Sequence, residues 1–238
     1  MTDIPKKRSL KRATFLLISG ILLILGAHAW GLTAPLNEVQ MGITGRILYV
    51  HVPTAWVALL VFCIAFGAAI RVLWAGSKRA DYIEEASLEV GVVLTIMLLV
   101  QGSIWGRATW ETWWTWDPRL TSSAVMAISF AGILVLRGML HDPDKRRTIS
   151  AVSTIIAFMN VPVVYFSVKL LPSIHQLQST PNTVDSEMHW PLRTAAFGFL
   201  FLSLGLIGLR ARVAELRAIR TEEEPDLPPV PETLQVEV

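Results

Sequence analysis

Five of the chain's nine tryptophans fall within twelve positions: Trp105, Trp110, Trp113, Trp114 and Trp116, in WGRATWETWWTWDPRL. Asp117 and Arg119 close the same stretch. Four of the five histidines, His28, His51, His175 and His189, stand near the ends of apolar runs, and Arg46 lies five positions before His51. These residue types suit one kind of chemistry. A neutral imidazole offers a nitrogen lone pair to a metal, indole packs flat on another aromatic, and guanidinium forks match carboxylates. A flat metal-centred macrocycle with acidic substituents needs all three, and haem with axial imidazoles is such a molecule. Each residue also has a plainer reading, because Trp, Lys and Arg anchor membrane proteins at both interfaces. Belts, however, spread tryptophan sparsely over many helix ends, whereas five in twelve residues are concentrated here. Spacing alone leaves open whether His175 or His189 would join His51.

The elements that must position these residues are apolar helices. Of 238 residues 53% are apolar and only 17% charged, against about 25% charged in soluble domains. The charges cluster between apolar runs of roughly 20 residues, the length that spans a bilayer as helix. Six spans are expected, at 13–32, 52–75, 86–106, 118–140, 148–171 and 191–210. Pro53, Pro118 and Pro191 suit first turns, Thr148 is a candidate N-cap for the fifth span, and Pro162 predicts a kink there. Trp110, Trp113 and Trp114 have helical i, i+3, i+4 spacing. They predict a short helix lying on the membrane surface, ending near Trp116, with Asp117 capping the fourth span.

Orientation follows from Lys and Arg. Sixteen of the 21 fall on one side of the predicted spans and five, Arg46, Arg107, Arg119, Lys169 and Arg193, on the other. The positive-inside rule then places both termini in the cytoplasm and the tryptophans outside. The expected fold is an all-α polytopic membrane protein with six transmembrane helices, both termini cytoplasmic and a short interfacial Trp-rich helix on the outer face. Residues 1–12 form a basic cytoplasmic leader, 13–210 the six-helix domain and 211–238 an acidic, proline-rich cytoplasmic tail. The first span also resembles a cleavable signal segment, with Ala27-His28-Ala29 as an A-x-A site; the expectation is an uncleaved anchor. Other chemistry is narrowed by what is missing. The single cysteine, Cys63, permits no intramolecular disulfide, zinc cluster or CxxCH motif. With no GxxxxGK[ST] loop, ATP chemistry must belong to another chain, and a net charge of +2 gives no argument for nucleic acid.

At these residues the chain resembles the haem exporter protein C family of cytochrome c maturation. WGRATWETWWTWDPRLTS is similar to the family's tryptophan motif almost throughout, GRILYVHVPTAW to its approach to the second span, and VPVVYFSVKLLPSIHQ to its exit from the fifth. The resemblance covers roughly residues 13–210 and implies haem b with two axial histidines, His51 and His175. It implies a shelf of Trp105, Trp110, Trp113, Trp114, Trp116 and Asp117, and propionate partners Arg46 and Arg119; His28 and His189 revert to ordinary interfacial residues. It further implies a bacterial inner-membrane location and no catalysis by this chain. The implied partners are a periplasmic haem chaperone, ABC-type ATPase and membrane subunits, a small single-span accessory subunit and membrane lipid. Three positions depart from the pattern: Glu111 stands where the family generally has glycine, Pro118 where alanine is frequent, and Leu170-Leu171 where aromatic character is expected.

The alternative from another class is a bis-His haem b electron-transfer subunit. Its ligands usually project in pairs from within spans, and here no span carries two histidines. A solute transporter with a mere tryptophan belt is the haem-free alternative. Haem lyases that share the motif need more spans and a further histidine pair than this chain has.

Overall fold

A computed structural model describes residues 3–33, 42–175, 184 and 186–223. The described residues hold helices and no strands, and six helical runs are long and apolar enough to cross a bilayer: Leu10–Thr33, Gly42–Ala75, Lys78–Thr109, Pro118–Met139, Pro143–Leu170 and Ser186–Arg220. These are the six spans of the apolar pattern. The helices are α1 (Asp3–Thr33), α2 (Leu48–Ala75), α3 (Lys78–Thr109), α4 (Pro118–Met139), α5 (Pro143–Phe158), α6 (Asn160–Leu170) and α7 (Ser186–Glu223). A 3-10 turn over Gly42–Ile47 leads directly into α2.

Most helices outrun the apolar pattern, and at the starts of α3 and α5 caps rather than hydropathy set the end. Ser77 caps α3, its Oγ accepting the Ala80 N–H at 3.2 Å. Asp142 caps α5 by accepting the N–H groups of Asp144 and Lys145 at 2.9 and 3.1 Å, with Pro143 at the first helical position. Those bonds also hold the Asp142 carboxyl below the usual carboxylate range. Thr148 is therefore an interior residue and not the expected cap. Pro53 and Pro191 likewise lie inside α2 and α7 rather than in first turns, since α2 begins at Leu48 and α7 at Ser186. The basic leader is helical from Asp3, and α7 continues past Arg210 to Glu223. The rest of the acidic tail, 224–238, lies outside the described residues.

The fifth crossing is broken, as Pro162 requires. A proline has no N–H for the carbonyl four residues earlier and clashes with it; that residue, Phe158, is the last of α5. The break is tied to α4, where the Asn160 amide donates to the Ser122 carbonyl at 2.8 Å. Phe62 of α2 and Phe130 of α4 stack beside it, centroids 3.9 Å apart, in a core shared with Leu88, Met126 and Val164. α2 thus sits centrally, packed on α3, α5 and α7.

α1 lies along α7 at backbone distance. A Cβ on Gly20 would stand 2.6 Å from the Leu202 nitrogen and 2.8 Å from the Gly198 oxygen. Small residues allow such approach, and where lipid is as apolar as leucine, close packing is what holds helices together.

The end of α3 away from the tryptophans holds buried charge that the sequence reading assigned only to topology. Arg137, 4% exposed, pairs with Asp81 at 2.8 Å and Glu85 at 2.9 Å. Glu84, fully buried, accepts the hydroxyls of Ser150 and Thr154 at 2.9 and 2.8 Å. These contacts join α3, α4 and α5 where the helices carry no continuous apolar face. Because removing one partner strands the others in a poor solvent for charge, Arg137→Met should destabilise the fold by about 3–5 kcal/mol, seen as early unfolding in detergent. Gly20→Ala should cost about 1–3 kcal/mol by overpacking. Gly26→Ala, where a Cβ meets nothing within 4 Å, should be neutral or slightly stabilising in the same melts.

Candidate functional site

At the tryptophan end four helices contribute their ends to one place. His51 stands in the first turn of α2, Trp105 in the last turns of α3, Arg119 in the first turn of α4, and His175 five residues beyond α6. All four line a cavity of about 110 Å³ that continues between the helices to Leu59 and Met126. Spacing alone left two candidates for the second histidine, and the family resemblance implied His175. The fold brings His175 beside His51, whereas His189 bonds locally through Nε2 to the Val184 carbonyl at 3.1 Å. His28 is also locally engaged, its Nδ1 lying 2.7 Å from the Ile24 carbonyl.

The Trp-rich segment is not the surface helix that its spacing suggested. α3 ends at Thr109, and Trp110 to Asp117 follow without helix. The immediate cause is Glu111, whose φ of 60° is left-handed, a conformation that breaks a right-handed helix and disfavours a side chain. Arg107 braces the bend by donating to the Glu111 carbonyl, and Ser103 donates to the Trp113 carbonyl at 2.8 Å. A glycine would adopt this backbone without the side-chain penalty.

Unwinding divides the tryptophans into two sets. Trp105, only 6% exposed, and the half-buried Trp110 form a chain of ring contacts between the two histidines. His51 meets Trp105 at 5.7 Å, Trp105 meets Trp110 at 6.0 Å, and Trp110 meets His175 at 5.1 Å. Trp114 contacts Trp116 edge-on at 5.9 Å. Trp113 and Trp116 are 60% and 82% exposed, so most of their indole surface is open to a partner. Among the expected site residues, Arg46, Trp110, Trp113, Trp114, Trp116 and Asp117 lie outside the cavity wall. Arg46 occupies the 3-10 turn before α2.

Asp117 is buried and does more than cap α4. Its Oδ1 accepts the Arg119 N–H at 2.9 Å and lies 3.1 Å from His175 Nδ1, while Oδ2 accepts the Ile174 N–H at 2.9 Å. Burial opposes its charge, but bonds from Ser173, Ile174 and Arg119, with His175 nearby, hold its carboxyl below the usual range. An ionised carboxylate only accepts, so His175 carries its proton on Nδ1 and leaves Nε2 as a lone pair. Burial, opposed by Asp117 and aided by Arg119, lowers the His175 pKa, which keeps the ring neutral. A neutral, oriented imidazole is the form that binds a metal.

Among the described residues, several buried polar atoms here have no hydrogen-bond partner: His51 Nδ1, Trp105 Nε1, Gln101 Oε1, and Nε of Arg46 and Arg119. Native structures rarely leave such groups unsatisfied without a reason, and a ligand bringing polar groups is one. No group of three or more His, Cys, Asp or Glu able to hold a bare metal ion occurs among the described residues. Two imidazoles suffice when a porphyrin supplies the other four nitrogens. The sequence reading passed over Gln101 and Tyr165, and the latter also lines the cavity. Gln101 was detectable as a lone amide one helical turn before Trp105, on the same face.

Comparison with known proteins gives a consistent picture. The family described as "Heme exporter protein C" matches residues 6–224. Proteins of that name from Escherichia coli strain K12 and Bradyrhizobium diazoefficiens are each 32% identical, over 200 and 203 residues, covering 83% of this chain and 81% and 76% of their own lengths. One from Rhodobacter capsulatus is 28% identical over 214 residues, covering 85% of this chain and 88% of its own. The left-handed residue in the bend yields a test: Glu111→Gly should raise stability by about 0.5–1 kcal/mol, the relieved strain less the extra freedom of glycine when unfolded. Thermal melts of the two proteins in one detergent would measure it.

Proposed function

Because the chain belongs to the haem exporter protein C family, we propose that it holds haem between His51 and His175 at its tryptophan end and presents it there for transfer. It is a multi-pass protein of the bacterial inner membrane, with a role in haem export for cytochrome c maturation. The observation that carries the finer reading is that His51 and His175, far apart in sequence, line one cavity with Trp105 and Arg119.

In this reading haem is cargo, and the chain's work is ligation, orientation and release. The two imidazoles take the axial positions. Arg46 and Arg119, each with an unpartnered Nε, pair with the propionates, as guanidinium suits carboxylate. Trp113 and Trp116 supply exposed indole surface against the ring, with the half-buried Trp114 beside Trp116, while Trp105 and Trp110 pack on the histidines and keep their planes fixed. Asp117 supports His175 rather than meeting the porphyrin itself.

The Lys/Arg bias places this end on the periplasmic side, with both termini in the cytoplasm. Delivery is then to a periplasmic haem chaperone. ABC-type ATPase and membrane subunits, with a small single-span accessory subunit, complete the complex, and ATP hydrolysis on the partner drives release of loaded chaperone. Residues 13–210 constitute the haem-handling domain, flanked by the basic leader and acidic tail. An absorption spectrum of the full chain in mild detergent, with haem supplied, tests the core of this reading. The wild type should show a Soret band with bis-histidine character, and His51→Ala and His175→Ala should each change the ligand signature. A colourless wild type with its partners present would reduce the tryptophans to an interfacial belt.

A further inference from the structure

We infer that the two axial histidines are unequal: His175, backed by Asp117, is the retained ligand, and His51 is the one that releases the iron first. This rests on the haem site proposed above and specifies how that site lets its cargo go.

The asymmetry lies in what stands behind each ring. His175 Nδ1 faces the Asp117 carboxylate at 3.1 Å. The segment carrying His175 is fixed twice more, by the Ile174 N–H on Asp117 at 2.9 Å and the His175 N–H on Ser173 Oγ at 3.1 Å. A carboxylate behind a ligating imidazole fixes its tautomer and makes it a stronger donor, and a charge-assisted bond is roughly twice as strong as a neutral one. His51 Nδ1 is buried and has no hydrogen-bond partner among the described residues. Nothing fixes which of its nitrogens carries the proton, and nothing withdraws that proton to strengthen the other. The positive charge of Arg119 acts on both rings, and only His175 has an anion to offset it.

Asp117 is therefore a positioning residue for the ligand. Its geometry also explains why a site that must surrender its cargo uses two histidines. The stronger holds the iron while the weaker opens one axial position on helix α2. A cargo held by one protein imidazole can accept a ligand from a receiving protein in the vacated place before it leaves.

The experiment uses the full chain in detergent loaded with haem, as wild type, His51→Ala, His175→Ala, Asp117→Asn and Ser173→Ala. Two quantities are read: the rate of haem loss to a soluble haem-binding scavenger, and the haem midpoint potential. His175→Ala should lose haem at least tenfold faster than His51→Ala. Asp117→Asn keeps a helix-capping acceptor but removes the charge. It should weaken ferric relative to ferrous binding about tenfold, a rise of about 59 mV in midpoint potential. It should add little in the His175→Ala background, because its effect passes through that ring. Ser173→Ala loosens the segment and takes one donor from Asp117 but leaves the carboxylate on His175 Nδ1, so its potential should not rise as that of Asp117→Asn does. Equal haem loss from the two histidine variants overturns the inference while leaving the haem site standing. So does an unchanged potential in Asp117→Asn, or a potential shift in Ser173→Ala as large as in Asp117→Asn. A wild type that takes up no haem overturns the haem site itself and this inference with it.

Discussion

One buried carboxylate organises the tryptophan end of this protein. Asp117 satisfies the N–H of Arg119 at the start of α4, the N–H of Ile174 in the segment leaving α6, and the Nδ1 of His175. A carboxylate removed from water must find donors, since an unpaired buried charge is costly. Here the donors come from two stretches more than fifty residues apart in sequence. Capping a helix, closing the α6 exit against α4 and orienting an imidazole are thus one electrostatic requirement. The positions of both Arg119 and His175 follow from it.

The two ends of the bundle hold different polar groups. At the basic end Arg137 pairs with Asp81 and Glu85, and the partly exposed Arg210 with Glu89, although Arg137 Nε and Glu84 Oε2 have no partner among the described residues. At the tryptophan end buried nitrogens of His51, Trp105, Arg46 and Arg119 have no partner among the described residues. Within a bilayer no water is available to complete such groups. The ion pairs of the basic end join helices, whereas His51, Trp105 and Arg119 of the tryptophan end line a cavity. The same contrast separates the tryptophans, since Trp105 and Trp110 are spent on the histidines and Trp113 and Trp116 remain open.

The local backbone shows how a short-range pattern misleads. Trp110, Trp113 and Trp114 have the spacing of a helix face, yet Glu111 at a φ of 60° unwinds the segment. Spacing reports where side chains would fall if the helix persisted and carries no information on whether it does. The helix starts were misjudged for a related reason. Hydropathy marks where lipid begins, and Ser77 and Asp142 cap their helices well inside water-compatible sequence. The kink at Pro162 was legible because its cause, a missing donor, is a property of the residue itself.

The sequence by itself determined the number of spans, the bias of positive charge toward one end and the residue types capable of holding a haem. Those follow from hydrophobic length and side-chain chemistry, which do not depend on partners distant in the chain. Tertiary structure alone decided that His51 and His175 line one cavity, which tryptophans remain open, and that Asp117 serves a histidine. Each of those is a contact between segments separated by many residues. Its energy depends on distance and burial in the folded bundle, and neither is a property of the order of residues along the chain.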